Sequence, residues 1–361
     1  MDSDAVPQIE RFAPTTVNTL ASCMYRVALQ RSERIPRRPS VFTALGLVAH
    51  KMMERYWKGE FSALNEEALS SALTAAWDDL VARQQTEIEA AYPLGSPPRA
   101  SDWPGYALTK SRVIRSIKRL AAARGQGVPG RQVRPELELA DPKTGLYGQL
   151  DRLEIDGPAI TIIDLKSGLW QHEVTDQQRR QLMLYAWLVH ASRGMWPTEI
   201  AIESAAGQRT SLAVQPDEIE ACAAQARALV NEYNQLAQSG WAALEASARP
   251  DEATCRWCPM RLVCTPYWGN LTSGWAHPGS ARGLVVSADG GPGGWTVTID
   301  TESPRDRVNE PTVVYQLRGP QPAAGRQLSV VNADERGLGA LRCRWDTQAV
   351  WETEDGSQSV L

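Results

Sequence analysis

The chain has no long apolar run. Among its 361 residues no stretch of eighteen or more apolar side chains occurs, and the opening Met1-Asp2-Ser3-Asp4 is acidic. Both a membrane span and a secretory leader are disfavoured, so the expected location is the cytoplasm, with no membrane partner. Positive charge is not in excess either. The net charge is −4, so any nucleic-acid surface would have to be local. No Gly-x4-Gly-Lys-Ser/Thr loop is present, and no ATP-driven motor is encoded. Histidine is scarce, at four residues, and the six cysteines do not read as a disulfide framework in a reducing compartment. What remains is an ordinary globular composition, 43% hydrophobic and 22% charged, long enough for a large core and two domains.

Periodicity predicts a helix over Val17–Leu29, a basic proline-bearing linker from Arg31 to Pro39, and helices over Val41–Trp57, Asn65–Ala91 and Ala107–Arg124. Strands are expected at Val133–Leu139, Tyr147–Ile155 and Ala159–Leu165. A helix at Gln177–Ser192, strands at Glu199–Ser204 and Ser211–Val214, and a helix from Pro216 to about Ser239 follow. This order is a mixed α/β core. After Trp268 the helical period vanishes. Short β-rich runs at Leu284–Ser287, Trp295–Asp300, Thr312–Leu317, Gln327–Asn332 and Leu341–Trp351 suit a small all-β barrel or sandwich, and a five-stranded oligonucleotide-binding-like (OB-like) barrel fits the count. The expected division is 1–270 and 271–361.

The most informative segments are Gly148-Gln149-Leu150-Asp151-Arg152 and Asp164-Leu165-Lys166-Ser167-Gly168. Between them Asp156-Gly157-Pro158-Ala159 is a cluster of turn formers. A turn there pairs Ile155 with Ile160, and the same register sets Asp151 opposite Asp164. Opposed side chains have Cβ atoms about 4.5–5.5 Å apart, and like charges there repel. Lys166 shares the face of Asp164. The same face carries Leu153, Ile155, Ile160 and Ile162, so the charges extend a core-facing row, and charged groups are seldom buried without partners. A hard cation such as magnesium, which takes oxygen ligands and leaves positions for a phosphate, reconciles the pattern.

Two further sets stand near this hairpin. His50 and Glu54, in Gly46-Leu47-Val48-Ala49-His50-Lys51-Met52-Met53-Glu54, are i,i+4 neighbours on one helix face. His172, His190 and His277 have no comparable setting. Gln181 and Tyr185 share a helix face whose other side, Leu182, Ala186 and Val189, is apolar; they could hold a phosphate or orient Lys166, or simply be an exposed polar stripe.

Gly-x-x-Asp-Arg, Asp-x-Lys and Gln-x-x-x-Tyr, preceded by helical Gly-x-x-x-His-x-x-x-Glu, resemble the RecB-like branch of the PD-(D/E)XK nuclease superfamily over roughly residues 12 to 268. The resemblance implies a restriction-endonuclease-like α/β core with a mixed sheet flanked by helices. It makes His50, Asp151 and Asp164 ligands of magnesium or manganese, with the Leu165 carbonyl a further ligand. Lys166 would orient the attacking water or balance developing charge, and Gln181 and Tyr185 would support the site and the DNA. Glu136 or Glu138, on the preceding strand, would contribute; the sequence does not distinguish them.

Cys255-Arg256-Trp257-Cys258 and Cys264, with the distant Cys23, resemble the iron–sulfur staple of AddB and of CRISPR-associated nucleases of this branch. Four thiolates suit a [4Fe–4S] cluster or structural zinc, and spacing leaves both open. Cys222 and Cys343 read as small hydrophobes. Arg112, Arg115 and Arg119, at spacings of three and four, form either a DNA-backbone grip or a solvated helix face.

The expected activity is metal-dependent hydrolysis of DNA phosphodiesters. The expected substrate is single-stranded or end-containing DNA in repair, recombination or defence, and any helicase is a separate partner. The rival is a non-catalytic DNA-binding or assembly subunit with a structural metal site.

Overall fold

The computed structural model describes residues 5–32, 38–123, 132–166, 173–275, 279–337, 339–353 and 357–361. Ser167, Gly168, His172 and His277 lie outside them, as does most of the Arg31–Pro39 linker.

The chain opens with α1 (Pro14–Ser22) and α2 (Met24–Arg31). The single helix expected from Val17 to Leu29 is broken at Cys23, whose φ of −163° and ψ of 110° are extended. One non-helical residue re-aims the chain, and the Cys23 side chain lines a small cavity with Cys255, Cys258 and Cys264. Next come α3 (Val41–Trp57), α4 (Glu66–Ala91) and α5 (Tyr106–Ala123). Ser40 and Asn65 begin α3 and α4 by accepting the Thr43 and Ala68 N–H groups at 3.1 and 2.9 Å, which satisfies amides that have no partner inside the helix. The apolar stripes of these three helices enclose Met52, Tyr56, Leu73, Trp77 and Ile117 in one core.

A five-stranded sheet follows, from β1 (Gln132–Asp141), β2 (Leu146–Asp156), β3 (Ala159–Lys166), β4 (Glu199–Ser204) and β5 (Arg209–Ala213), in sequence order. Only β3 and β4 are parallel, because α6 (Asp176–Arg193) crosses over between them. Helix α6 starts on a reciprocal Thr175–Gln178 capping box and stops at Gly194 in the left-handed region, φ 69°. With α7 (Pro216–Gln238), α1 and α2 it covers one sheet face, burying Leu153, Ile162, Leu182, Leu184 and Ile200. Leu165 and Ala205 enter the α3–α5 core instead.

Ile155 pairs with Ile160, as the turn predicts, and the ladder runs back to Arg152 opposite Ile163. At Asp151 the alternation of β2 slips: Leu146, Leu150 and Leu153 all enter the same core. Beside the slip, between Pro135 opposite Arg152 and Leu137 opposite Leu150, stands Glu136 with φ 49°. A glutamate in this glycine-favouring region carries backbone strain that its surroundings must hold in place.

The last section comprises β6 (Gly279–Gly291), β7 (Gly294–Ser303), β8 (Pro311–Leu317), β9 (Gln327–Glu335), β10 (Ala340–Arg342), β11 (Gln348–Glu352) and β12 (Gln358–Val360). β6, β7, β8, β10 and β9 close on themselves as a five-stranded barrel, with β8 and β10 parallel, while β11 and β12 extend from β9. The expected strand Leu341–Trp351 is therefore two, because Thr347 Oγ1 accepts the Arg344 N–H at 2.8 Å and fixes a turn between them. Closure protects strand edges that would otherwise pair with other chains. The barrel joins the α/β part through a buried seam in which Cys255, Leu262, Tyr267 and Trp268 meet Val331 of β9 and Val350 of β11.

Candidate active site

α3 and the paired strands bring three donors together. His50 Nε2 lies 2.9 Å from Asp151 Oδ2, and His50 Nδ1 lies 3.6 Å from Glu136 Oε1. One donor atom from each of His50, Glu136 and Asp151 falls within 4.8 Å of the other two, the one such trio of histidine, cysteine, aspartate or glutamate among the described residues. Of the two glutamates on β1, Glu136 stands in this trio and Glu138 is exposed. Burial works against the His50 imidazolium, but the hydrogen bond and charge of Asp151, with the charges of Glu136 and Asp164, outweigh it and raise the imidazole above its ordinary value. Burial, then Glu54 and Asp151, push the Glu136 carboxyl up against the opposing pull of His50. With the Glu136 carboxyl pushed up in this way, the cluster is short of positive charge. One imidazole and two carboxylates are a donor set that fits a hard divalent cation.

Asp164 stands beside this trio. Its Oδ2 is 2.7 Å from Lys166 Nζ, and its Oδ1 accepts from Gln181 Nε2 at 3.2 Å. Burial raises the Asp164 carboxyl, Lys166 pulls it down and Asp151 raises it again. Gln181 thus bonds the same carboxylate that holds Lys166. Tyr185, one helical turn on, is half-buried, and burial followed by the Asp151 and Asp164 charges lifts its phenol far above the ordinary value. It stays a neutral hydrogen-bonding group. Gly148 makes room for this ring: a Cβ there would sit 2.8 Å from Tyr185 Cε1 and 3.4 Å from Pro14 Cδ.

The backbone amide of Leu165 donates to Asp151 Oδ2 at 2.6 Å. Glu54, the other half of the helical pair, is held by Lys51 and Lys58. Of the three arginines of α5, Arg119 is committed to the Ala206 carbonyl at 2.6 Å, while Arg112 and Arg115 remain on or near the surface.

Behind the site lies a group of charges that sequence reasoning missed. Arg152, 1% exposed, points to the other face of the sheet, where it pairs with Glu154 and Glu203 and lies 4.4 Å over the Trp57 ring. Arg209 joins both glutamates at 2.9 and 3.2 Å. A buried ion cluster with every partner present fixes the strand rather than adding much net stability. An arginine directly after Asp151 inside a buried strand was the one available hint.

Cys23, Cys255, Cys258 and Cys264 line one small cavity. Burial pushes the Cys255 thiol up to about 11 and the Cys264 thiol up to about 12. No three of the four sulfurs come within 4.8 Å of one another. Cys222 is half-buried near the Arg180 carbonyl, and Cys343 is in the barrel core.

Residues 11–265 match the model of the PD-(D/E)XK nuclease superfamily. The match spans well over half of the chain, and the protein belongs to that superfamily. Among solved structures it is similar to a candidate exonuclease from Eubacterium rectale, with a TM-score of 0.39 and 10% identity over 69% of this chain and 86% of that one. No curated protein matches it. Among the described residues no helix is long and apolar enough to cross a membrane.

Proposed function

We propose that this protein is a magnesium- or manganese-dependent deoxyribonuclease acting on single-stranded or end-containing DNA, as an exonuclease in repair, recombination or defence. The observation that carries the reading is the convergence of His50, Glu136 and Asp151 beside the Asp164–Lys166 pair. His50, Glu136, Asp151 and Asp164 would hold the ion, with the Leu165 carbonyl. When bound, such an ion supplies Lewis acidity and a more acidic water. Lys166, 39% exposed and tethered by Asp164, is the cation placed to balance charge that develops on a phosphate. Gln181 keeps that tether aimed, and Tyr185 offers a neutral hydroxyl to the substrate.

The four cysteines would carry a [4Fe–4S] cluster as a structural brace. Tetrahedral zinc, with Zn–S bonds near 2.3 Å, requires sulfurs about 3.8 Å apart. Structural zinc is the alternative occupant of the same four thiolates. The closed ring with a parallel pair between its third and fifth strands supports an OB-like reading of residues 271–361, and hence a single-stranded substrate. A motor, where one is used, is a separate partner.

The test is cleavage of end-labelled single- and double-stranded DNA with magnesium and manganese, wild type against Asp164→Ala. Metal-dependent cutting by the wild type alone is expected. Equal residual cutting by both proteins rejects catalysis and leaves a DNA-binding subunit.

A further inference from the structure

Three shallow grooves adjoin along one side of the molecule, and shared residues make them one track. The first lies over the β1–β2 turn and is lined by Lys143 and Arg11. The second shares Arg11 and adds Tyr147 and Arg31. The third shares Arg31, adds Arg38, has a volume of about 420 Å³ and is walled by α1 threonines and by Gln348 of β11.

Charge along this track runs against the rest of the chain. Its lining holds the four cations just named and two acids, Glu10 and Asp141. The Asp141 oxygens are occupied by the Lys143 amide, the Thr144 hydroxyl and the Trp187 indole. Glu10 is thus the one lining carboxylate free of such a cage. In a protein of net charge −4 this is a local enrichment, and it suits a phosphate backbone.

The track also offers an aromatic face. The Arg11 guanidinium lies 4.7 Å over the Tyr147 ring, which is 41% exposed. Cations that follow a backbone, interrupted by a ring on which a base can stack, are the recognition chemistry of a single strand. A duplex keeps its base faces stacked inside and has no use for the ring. The position fits as well. Tyr147 precedes Gly148, against which the site residue Tyr185 packs, and the far end of the track reaches the barrel at Gln348.

We propose that this track holds a single-stranded DNA segment between the catalytic centre and the barrel, with phosphates on Arg11, Arg31 and Arg38 and a base on Tyr147. The identity of the ligand rests on the nuclease reading.

The test is fluorescence anisotropy with a labelled twenty-nucleotide oligothymidylate, in an Asp151→Asn background with calcium. Arg11→Glu combined with Arg31→Glu is expected to weaken binding at least tenfold. It should also flatten the dependence on salt, by about 0.7 in log–log slope for each phosphate left without its cation. Tyr147→Ala removes no charge; it should weaken binding about tenfold by taking away the ring under one stacked base, with the slope unchanged. Parent-like binding by both variants overturns the track, as does tighter binding of a blunt duplex of the same length. Failure of the wild type to cut DNA would sink the nuclease reading but leave this binding measurement readable, so the two failures are separable.

Discussion

One oxygen of Asp151 joins a strand to a helix. Asp151 Oδ2 accepts the Leu165 backbone N–H at 2.6 Å and stands 2.9 Å from His50 Nε2. The carboxylate therefore has a structural duty and a proposed metal-binding duty, and substitutions can separate them. Asp151→Asn keeps an acceptor for the amide and loses the charge. Asp151→Ala loses both and leaves a partly buried N–H unpaired, which costs about 1–3 kcal/mol. Both variants should lose DNA cleavage by a factor on the order of a hundred or more. Only the alanine variant should melt markedly lower in metal-free buffer, and equal melting of the two would reject the amide's part.

Glu136 is strained where it sits, with φ 49°, and burial more than any other influence pushes its carboxyl up. Removing its charge should stabilise the metal-free protein on the order of 1 kcal/mol. In thermal melts, Glu136→Gln should start above the wild type without metal. Manganese at a hundred times its dissociation constant should raise the wild type by about 2.7 kcal/mol, and the variant much less. A variant that gains as much from manganese removes Glu136 from the ligand set.

Gly148 and Tyr185 should behave as a coupled pair. Gly148→Ala forces the ring away, at a cost of about 1–3 kcal/mol, and reduces cleavage. With Tyr185→Ala already present the clash is gone, so the second substitution should cost little. Additive losses in that cycle would show that Gly148 matters for another reason.

Asp141 gives the fold an acid-sensitive joint. Burial opposes its ionisation, but the Thr144 and Trp187 side chains and the Lys143 and Thr144 amides outweigh it and hold the carboxyl below its ordinary value. A depressed pKa means that the folded state binds the proton less tightly than the unfolded chain. The contribution is therefore complete above the unfolded value, about pH 4, and is lost as pH falls through the folded value. Asp141→Asn should lower the melting point at neutral pH and flatten its decline below about pH 4. An unchanged acid limb would reject this.

Cys264→Ser should remove most of the iron from anaerobically purified protein and loosen the seam that Cys255 shares with Val331 and Val350. Limited proteolysis should then separate residues 271–361 from the core sooner than in the wild type. Zinc in place of iron in the wild type would overturn the cluster assignment.

Much of this was legible in the sequence, and the gaps have physical causes. The β2–β3 register follows from turn chemistry at 156–159, a local property, and Ile155 does pair with Ile160. The choice of Glu136 over Glu138 depends on a left-handed backbone at a glutamate, which no propensity anticipates. Cys23 interrupts a pattern that reads as one helix, because tertiary contacts outweigh propensity there. The Arg152–Glu203 pair spans 51 residues and so left no local trace. A five-stranded barrel could be read in the last section; the parallel β8–β10 pairing that closes it could not.

The reciprocal bonds between the Ile9 backbone and the Asn234 side chain, at 2.8 and 2.9 Å, have a consequence for biosynthesis. Tyr233 adds a third tie, to the Pro7 carbonyl. Residues 7 to 9 leave the ribosome about 225 positions ahead of the amide that fastens them. Until α7 emerges these three ties cannot form, so in a nascent chain halted earlier the Pro7 and Ile9 backbone groups would turn to water instead.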